Sequence, residues 1–367
     1  MFSLEKGSPI TVTIVAHARP FVVGVDTHAR NHALAILVAA TGELLAAEQF
    51  PATSSGMDRA IAWVGRRTGG DLATLWVIEG IGTYGARLAH TVTDSGYQVV
   101  EAPRMSARAN RGVGKSDPLD ARRIATAVPS LGSTELRHPR QDDGVRAALR
   151  VLVTARDHMT LERTANVNAL IALLRVVDLG IDARKPLISK QVREVSRWRT
   201  RDEDLGTATA RAEAVRLAKR VVDVGEELEN NATRMTVLVR QSRAAVLLDK
   251  TGIGPMTAAI ALTAWSHPGR VRSEAAFACL AGVNPIPASS GNTTRHRLNR
   301  GGDRRLNRAL HMSTIVWMTH DPDTRAYVEK RRAEGRTTKE IRRILKRYLA
   351  RQIYRTLNTA VASPSPA

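Results

Sequence analysis

"FVVGVDTHARNHALAILVAATGELLAAEQF", residues 21–50, decides the fold of the first third of this chain. Residues 21–26 form a β-branched run that ends in an acid, Asp26. Two further strand-like runs follow, divided by the turn signal "TGE". Three antiparallel strands are therefore expected. Downstream, "GMDRAIAWVGRRTGG" (56–70) has helical spacing and a glycine stop. "LATLWVIEG" (72–80) is a short buried strand that again ends in an acid, Glu79. "TYGARLAHTVTDSG" (83–96) reads as a second helix and "YQVVEAP" (97–103) as a further strand, before a basic stretch and a last helix. The order βββαβαβα describes a hairpin-extended sheet that becomes parallel, with helices as crossovers.

From about 140 to 250 the texture changes. Apolar residues take helical steps at Val145, Leu149 and Leu152, then at Val167, Leu170 and Leu174. A later run carries Leu217, Val221, Val224, Leu228, Met235 and Leu238, with Asn231 on the same seam. The spacing fits a heptad, and it fits equally a helix packed on a globular core. "DARKPLISKQ" and "TRDEDLGTA" interrupt the helices, so a helical hairpin is expected. In the coiled-coil reading Asn231 sets the register between two copies. Beyond 250 a compact helical region is expected, with "TGIGPMTAAIAL" shaped as helix, turn, helix. There Gly252 and Gly254 would let backbone N–H groups approach a phosphate. An ordinary helix-to-helix turn is the alternative. The fold class is thus α/β plus all-α. The expected divisions are a flexible leader over 1–20, a sheet domain over 21–135, a helical coiled-coil spacer over 140–248, a helical domain over 249–357 and a disordered tail over 358–367.

With 367 residues and 43% hydrophobic content the chain can bury sizeable cores. Its net charge of +20 is the strongest bulk signal and points to a polyanion, nucleic acid first. Residues 291–357 hold 18 Lys/Arg against 6 Asp/Glu, a net +12, so the polyanion site is expected to lean on this part. No long apolar run spans a bilayer, and residues 1–20 do not read as an export signal. The single cysteine, Cys279, excludes an internal disulfide framework and a multi-cysteine zinc site. A cytoplasmic, nucleoid-associated location follows from these features.

Against this basic background four acids stand out. Asp26 and Glu79 end strands that a mixed sheet would set side by side. Asp117 and Asp120, in "KSDPLDARRIA" (115–125), lie three apart at the start of a helix and so share a face. Helix capping is one reading, with Asp120 opening a helix over residues 121–127 and Arg122 and Arg123 in solvent. The other is a shared cation. Clustered carboxylates repel unless a cation neutralises them, and hard divalent ions suit carboxylate oxygens. Two such ions can stabilise the attacking and leaving oxygens of a phosphodiester. His28 and His32 fall on a hairpin, where a spacing of four makes no common metal face, and they are not expected to ligate.

"GVDTHARNHALAIL", "WVIEGIGTYG" and "GKSDPLDARRIA" resemble the D…E…DxxD pattern of DEDD-type insertion-sequence transposases, the IS one-ten group. The second half resembles them too, in "LLDKTGIGPMTAAIAL", "FACLAGVNPIPASSGNTTRHRLNRGGDRRLNRAL" and "RAYVEKRRAEG". The resemblance spans roughly residues 20–357. It implies an RNase H-like (RuvC-like) N-terminal domain in which Asp26, Glu79, Asp117 and Asp120 bind Mg²⁺ (or Mn²⁺). It also implies a C-terminal serine nucleophile in a loop like "PASSGN". Ser290, directly before Gly291, is preferred, and Ser289 is the alternative; "SSGN" departs from the "SSGG" or "SSGK" of many relatives. A structured guide RNA that pairs with donor and target DNA is implied as well. The helical spacer is expected to drive dimerisation, with the homodimer assembling to a tetramer.

A serine hydroxyl is a weak nucleophile until a base or metal activates it, and no histidine forms an obvious dyad here. Lys115, Arg295, Arg297, Arg300 and Arg304 are candidate phosphate contacts, though a solvated Lys115 is as consistent. Tyr84 either packs its helix or lies at the site. Trp198, Trp265 and Trp317 are expected in cores, and "KEIRRILKRYLARQIYRTL" (339–357) as an amphipathic helix with one basic face. The expected function is a transposase/recombinase using Mg²⁺-assisted serine attack. The alternatives are a metal-dependent junction resolvase using water and a non-catalytic nucleic-acid-binding scaffold.

Overall fold

The computed structural model describes residues 13–103, 116–140, 144–293 and 296–360. Lys115, Arg295, the first twelve residues and the tail from 361 lie outside the described residues. The chain divides into two compact units, Met1–Arg140 and Gln141–Ala367.

The first unit is a five-stranded mixed sheet with helices. After a short helix α1 (Val15–Ala18) come β1 (Phe21–Thr27), β2 (Asn31–Val38), β3 (Leu44–Pro51), α2 (Ser54–Thr68) and β4 (Leu75–Ile78). α3 (Ala86–Asp94), β5 (Gln98–Glu101) and α4 (Asp117–Thr126) complete it. The strand order is β3-β2-β1-β4-β5. β1 pairs antiparallel with β2 and parallel with β4, while β4 and β5 are parallel. The hairpin and crossovers expected from the sequence are all present.

Strand alternation sorts β1 cleanly. Val23 and Val25 join a core with Leu34, Ile36, Trp63 and Trp76, whereas Val22 joins a second core with Leu75, Val77 and Ile124 of α4. Gly24 shares the face of Val22. A Cβ there would lie 2.2 Å from the Ala121 carbonyl oxygen and 2.4 Å from the Ala125 nitrogen. Glycine in mid-strand is thus what lets α4 lie against β1.

Two expectations change in this unit. Residues 13–20 belong to the fold rather than to a flexible leader. Val15 is buried, and its N–H donates to the Leu131 carbonyl at 2.9 Å. α4 starts at Asp117 behind Ser116, not at residue 121, so Asp120 occupies its first turn and does not cap it.

The second unit is helical apart from one small hairpin. Its elements are α5 (Gly144–Val176), α6 (Ser189–Ser196), α7 (Leu205–Arg240), α8 (Pro255–Trp265) and α9 (Glu274–Leu280). The hairpin β6 (Pro285–Pro287) and β7 (His296–Leu298) follows, then α10 (Arg304–His320), α11 (Pro322–Ala333) and α12 (Thr338–Thr359). The seam of α7 faces α5 of the same chain. The Asn231 amide nitrogen donates to the Leu152 carbonyl at 3.1 Å, and Arg220 pairs with Glu162 across the hairpin. Asn231 therefore fixes contact within one chain instead of register between two copies. The expected boundary at 248/249 is not a boundary of packing either. Leu149, Leu152, Met235 and Val239 share one core with α8, α10 and α12. A separate core around Leu170, Leu174, Val195 and Ala214 holds the far end of the hairpin. Among the described residues no helix is long and apolar enough to cross a membrane.

Candidate functional site

Asp26 lies on the α4 side of the sheet, on the face of Val22 and Gly24, and it is only 7% exposed. Glu79 follows β4 directly. Parallel pairing sets Val25 beside Ile78, and the Glu79 N–H donates to the Val25 carbonyl at 3.0 Å, so Glu79 emerges next to Asp26. The Thr27 hydroxyl donates to the Glu79 carbonyl at 2.9 Å and locks the two strand ends together. Asp117 and Asp120 come from the first turn of α4, which the glycine contact presses onto β1. Arg123 donates to Asp120 at 2.7 Å, leaving the second oxygen of that carboxylate for another partner.

Electrostatics binds the group together. Burial raises the Asp26 carboxyl above its ordinary value, His28 opposes the shift, and the charges of Asp117 and Asp120 add to it. Glu79 is raised as well, by desolvation first and then by Asp26 and Asp120. Asp26 thus lies within reach of the charges of Asp117 and Asp120, and Glu79 within reach of those of Asp26 and Asp120, at one end of the sheet.

The structure adds a histidine to them. His28 sits in the β1–β2 turn, its Nε2 3.1 Å from Asp26 Oδ2 and 3.5 Å from Asp117 Oδ1. Single ligand atoms of Asp26, His28 and Asp117 lie within 4.8 Å of one another, a set that could hold a metal ion. His32 is different: it is buried in β2 against the sheet and its Nδ1 has no hydrogen-bond partner among the described residues. The signal available in the sequence was a histidine two residues beyond a strand-end carboxylate.

In the second unit, β6 and β7 carry the serine pair out from the helices. Pro287 pairs with His296, and beyond that rung Ser290 and Thr293 exchange backbone hydrogen bonds of 3.2 Å in each direction. Gly291 and Asn292 are the two turn residues between them. Gly291 has φ +54°, the left-handed value that a first turn position of this kind requires. Ser289 and Ser290 are both exposed. Arg297 lies on β7, Arg300 follows it, and Arg304 opens α10. At the base of the hairpin the Asn299 amide donates to Asn284 Oδ1 at 2.7 Å.

Gly252 and Gly254 sit before α8. Gly252 has φ +74°, and a Cβ there would lie 2.9 Å from the Ser313 carbonyl oxygen of α10. Its lack of a side chain is thereby accounted for by helix packing. Gly254 is the exposed residue preceding α8. A short 3-10 turn, Arg243–Leu247, stands where a full helix was expected upstream. Tyr84 is 61% exposed, whereas Trp265 is buried.

A model of DEDD-type IS110 transposases matches residues 23–177, and one described as the transposase IS116/IS110/IS902 family matches residues 244–329. The chain belongs to this insertion-sequence transposase family. It is 26% identical over 310 residues to the insertion element IS110 43.6 kDa protein of Streptomyces coelicolor, covering 72% of this chain and 76% of that one. To the insertion element IS900 42 kDa protein of Mycobacterium paratuberculosis it is 24% identical over 366 residues, covering 87% and 91%. The insertion element IS116 44.8 kDa protein of Streptomyces clavuligerus is 25% identical over 360 residues, with 85% and 88% covered.

A transposase acts on DNA, and each family match takes in one of the two groups described above. The DEDD-type match spans the four acids and His28, and the second match spans the serine hairpin and Arg297, Arg300 and Arg304.

Proposed function

We propose that this transposase cuts and rejoins DNA through a serine nucleophile working with a carboxylate-bound divalent cation. The observation that carries the reading is the convergence of Asp26, Glu79, Asp117 and Asp120 in a chain of net charge +20. The donor set suits Mg²⁺ or Mn²⁺: oxygen ligands predominate, and the raised carboxyls are relieved by a positive charge. A strand order of 3-2-1-4-5 with an antiparallel 1–2–3 edge supports an RNase H-like fold for this unit.

When bound, the cation supplies Lewis-acid polarisation of a phosphoryl oxygen. The chain's own residues do the rest. The Ser290 hydroxyl gives up its proton to solvent, and its Oγ forms a bond to phosphorus. The bond from phosphorus to one deoxyribose oxygen breaks, and that oxygen takes a proton as it leaves. Energy of the broken ester is kept in the phosphoserine, so attack by a second deoxyribose hydroxyl rejoins DNA and restores the serine. Arg297, Arg300, Arg304, Lys115 and Arg295 offer guanidinium and ammonium donors to phosphate oxygens. Gly254, exposed before α8, is retained as a backbone contact to a strand, whereas Gly252 is given to packing on α10. A structured guide RNA, which rests on the family resemblance, and a homodimer that pairs into a tetramer belong to the same proposal.

The test is covalent trapping. The protein is expressed with its flanking element DNA, digested, and the peptide holding Ser289 and Ser290 is weighed by mass spectrometry. A nucleotide adduct on Ser290 that vanishes in Asp26→Asn is the expected result. An adduct on Ser289 would move the nucleophile by one residue. Divalent-dependent cutting with no adduct on either serine would establish water as the nucleophile and overturn the serine mechanism.

A further inference from the structure

Beside the serine hairpin lies a cleft of about 470 Å³, formed by β7, α10 and α12. Arg297, Arg300, Arg342, Arg343, Lys346 and Arg347 line it, and no acidic residue does. None of these six makes an ion pair among the described residues. A cleft so charged is electrostatically unfinished, because like charges brought together and partly desolvated repel.

Its floor is built. Asn307 of α10 donates through Nδ2 to the carbonyls of Ala281 at 2.7 Å and Gly282 at 3.2 Å. That fixes its amide, so Oδ1 faces the cleft and accepts from Lys346 Nζ at 2.6 Å. One of three ammonium N–H groups is thereby used and two remain. Arg342 Nε is buried with no hydrogen-bond partner among the described residues. Burial and the Arg342 charge hold the Lys346 ammonium below its ordinary pKa, and His311 is lowered by burial, Lys346 and Arg342. Each of these groups would be relieved by an anion at one place.

We infer that this cleft binds the phosphodiester backbone of a nucleic-acid strand at Lys346 and Arg342, with Asn307 as the positioning residue. The inference rests on the nucleic-acid chemistry proposed above and extends it to a site on α12. β7 forms one wall, and Ser290 stands three residues beyond the last rung of β6–β7, about 10 Å along an extended chain. The cleft therefore holds a flanking phosphate, not the one attacked, and sets the register of the strand against the hairpin. The basic face of "KEIRRILKRYLARQIYRTL" gains a role by this assignment.

The measurement is fluorescence anisotropy of the full-length protein with a 20-nucleotide single-stranded DNA and an RNA of equal sequence, over a range of salt. Lys346→Met and Arg343→Gln are each expected to weaken binding about fivefold at 0.15 M salt. Each should also lower the slope of log K against log salt by about 0.7. Asn307→Asp, which would set a carboxylate against the ammonium, should match Lys346→Met, and Lys346→Arg should keep the slope. Lys190→Gln on exposed α6 serves as the charge control. Melting temperatures identify any variant that fails to fold, and exposed Arg343→Gln then carries the test. Loss for DNA, RNA or both supports the cleft and names its strand. Variants that bind both as the control does overturn it. A Ser290 adduct that persists in that case leaves the serine mechanism standing, so the two readings fail separately.

Discussion

The acidic group and the serine hairpin are built in opposite ways. Asp26 is fixed by a buried strand, by the parallel register to β4 and by a helix that rests on Gly24. Ser290 projects from a hairpin of two three-residue strands whose residues are all exposed. Burial makes the carboxylates costly, as the raised Asp26 and Glu79 show, whereas the described strand residues of the hairpin are all exposed. The acidic site stores strain that a cation can release. The serine turn stores little, and it is shaped by backbone hydrogen bonds and one glycine. Stability and chemistry should therefore respond differently in the two places.

The sharpest way to break this contrast is Gly24→Val. The added side chain collides with backbone of α4, which cannot yield as a side chain would, at a cost of about 3 kcal/mol or more. Differential scanning calorimetry should lose the transition of the sheet unit while the helical unit still melts cooperatively.

Asp26→Asn separates stability from activity. DNA strand cleavage should fall about a thousandfold, equivalent to about 4 kcal/mol of barrier. In EDTA the variant should melt about 2 to 4 °C higher than the parent near pH 7.5. The sign follows from the raised carboxyl. Between its ordinary value near 3.8 and its raised folded value the native state holds more protons than the unfolded one. Stability of the parent therefore drops as pH rises through that window and stays lower above it. Below about pH 4 the advantage of the variant should vanish. Adding Mg²⁺ should raise the melting temperature of the parent and not that of Asp26→Asn. Equal melting temperatures throughout would mean that the acidic site holds no strain.

Ser290→Ala is the converse case. It should abolish the covalent adduct while changing stability by less than about 0.5 kcal/mol, because the residue is exposed and its turn bonds are backbone bonds. Gly291→Ala should cost about 1 kcal/mol through its left-handed φ, and reduce adduct yield several-fold by distorting the turn. The smallest effect is expected at Asn231→Leu. There loss of the bond to Leu152 is offset by removing the buried, unpartnered Oδ1, leaving a change within about 1 kcal/mol by denaturant titration.

Pattern alone determined much of this protein. Strand alternation, glycine stops and a strand-end acid made the βββαβαβα order legible, because period-two burial is written directly in residues such as Val22 to Asp26. The ordered acids and the "PASSGN" loop pointed to the family, which the comparisons bear out. Tertiary structure decided the remainder, since each remaining feature depended on which distant backbone lay opposite. The α7 heptad could not reveal whether its partner was α5 or a second chain. His28 could not be seen as part of the acidic group until the β1–β2 turn folded it over Asp26 and Asp117. Gly252 carries the same sequence signal for phosphate approach and for packing on Ser313, and only the position of α10 tells which contact it makes. Lys346 and Asn307 are thirty-nine residues apart on separate helices, so their cleft exists only once α10 and α12 pack together.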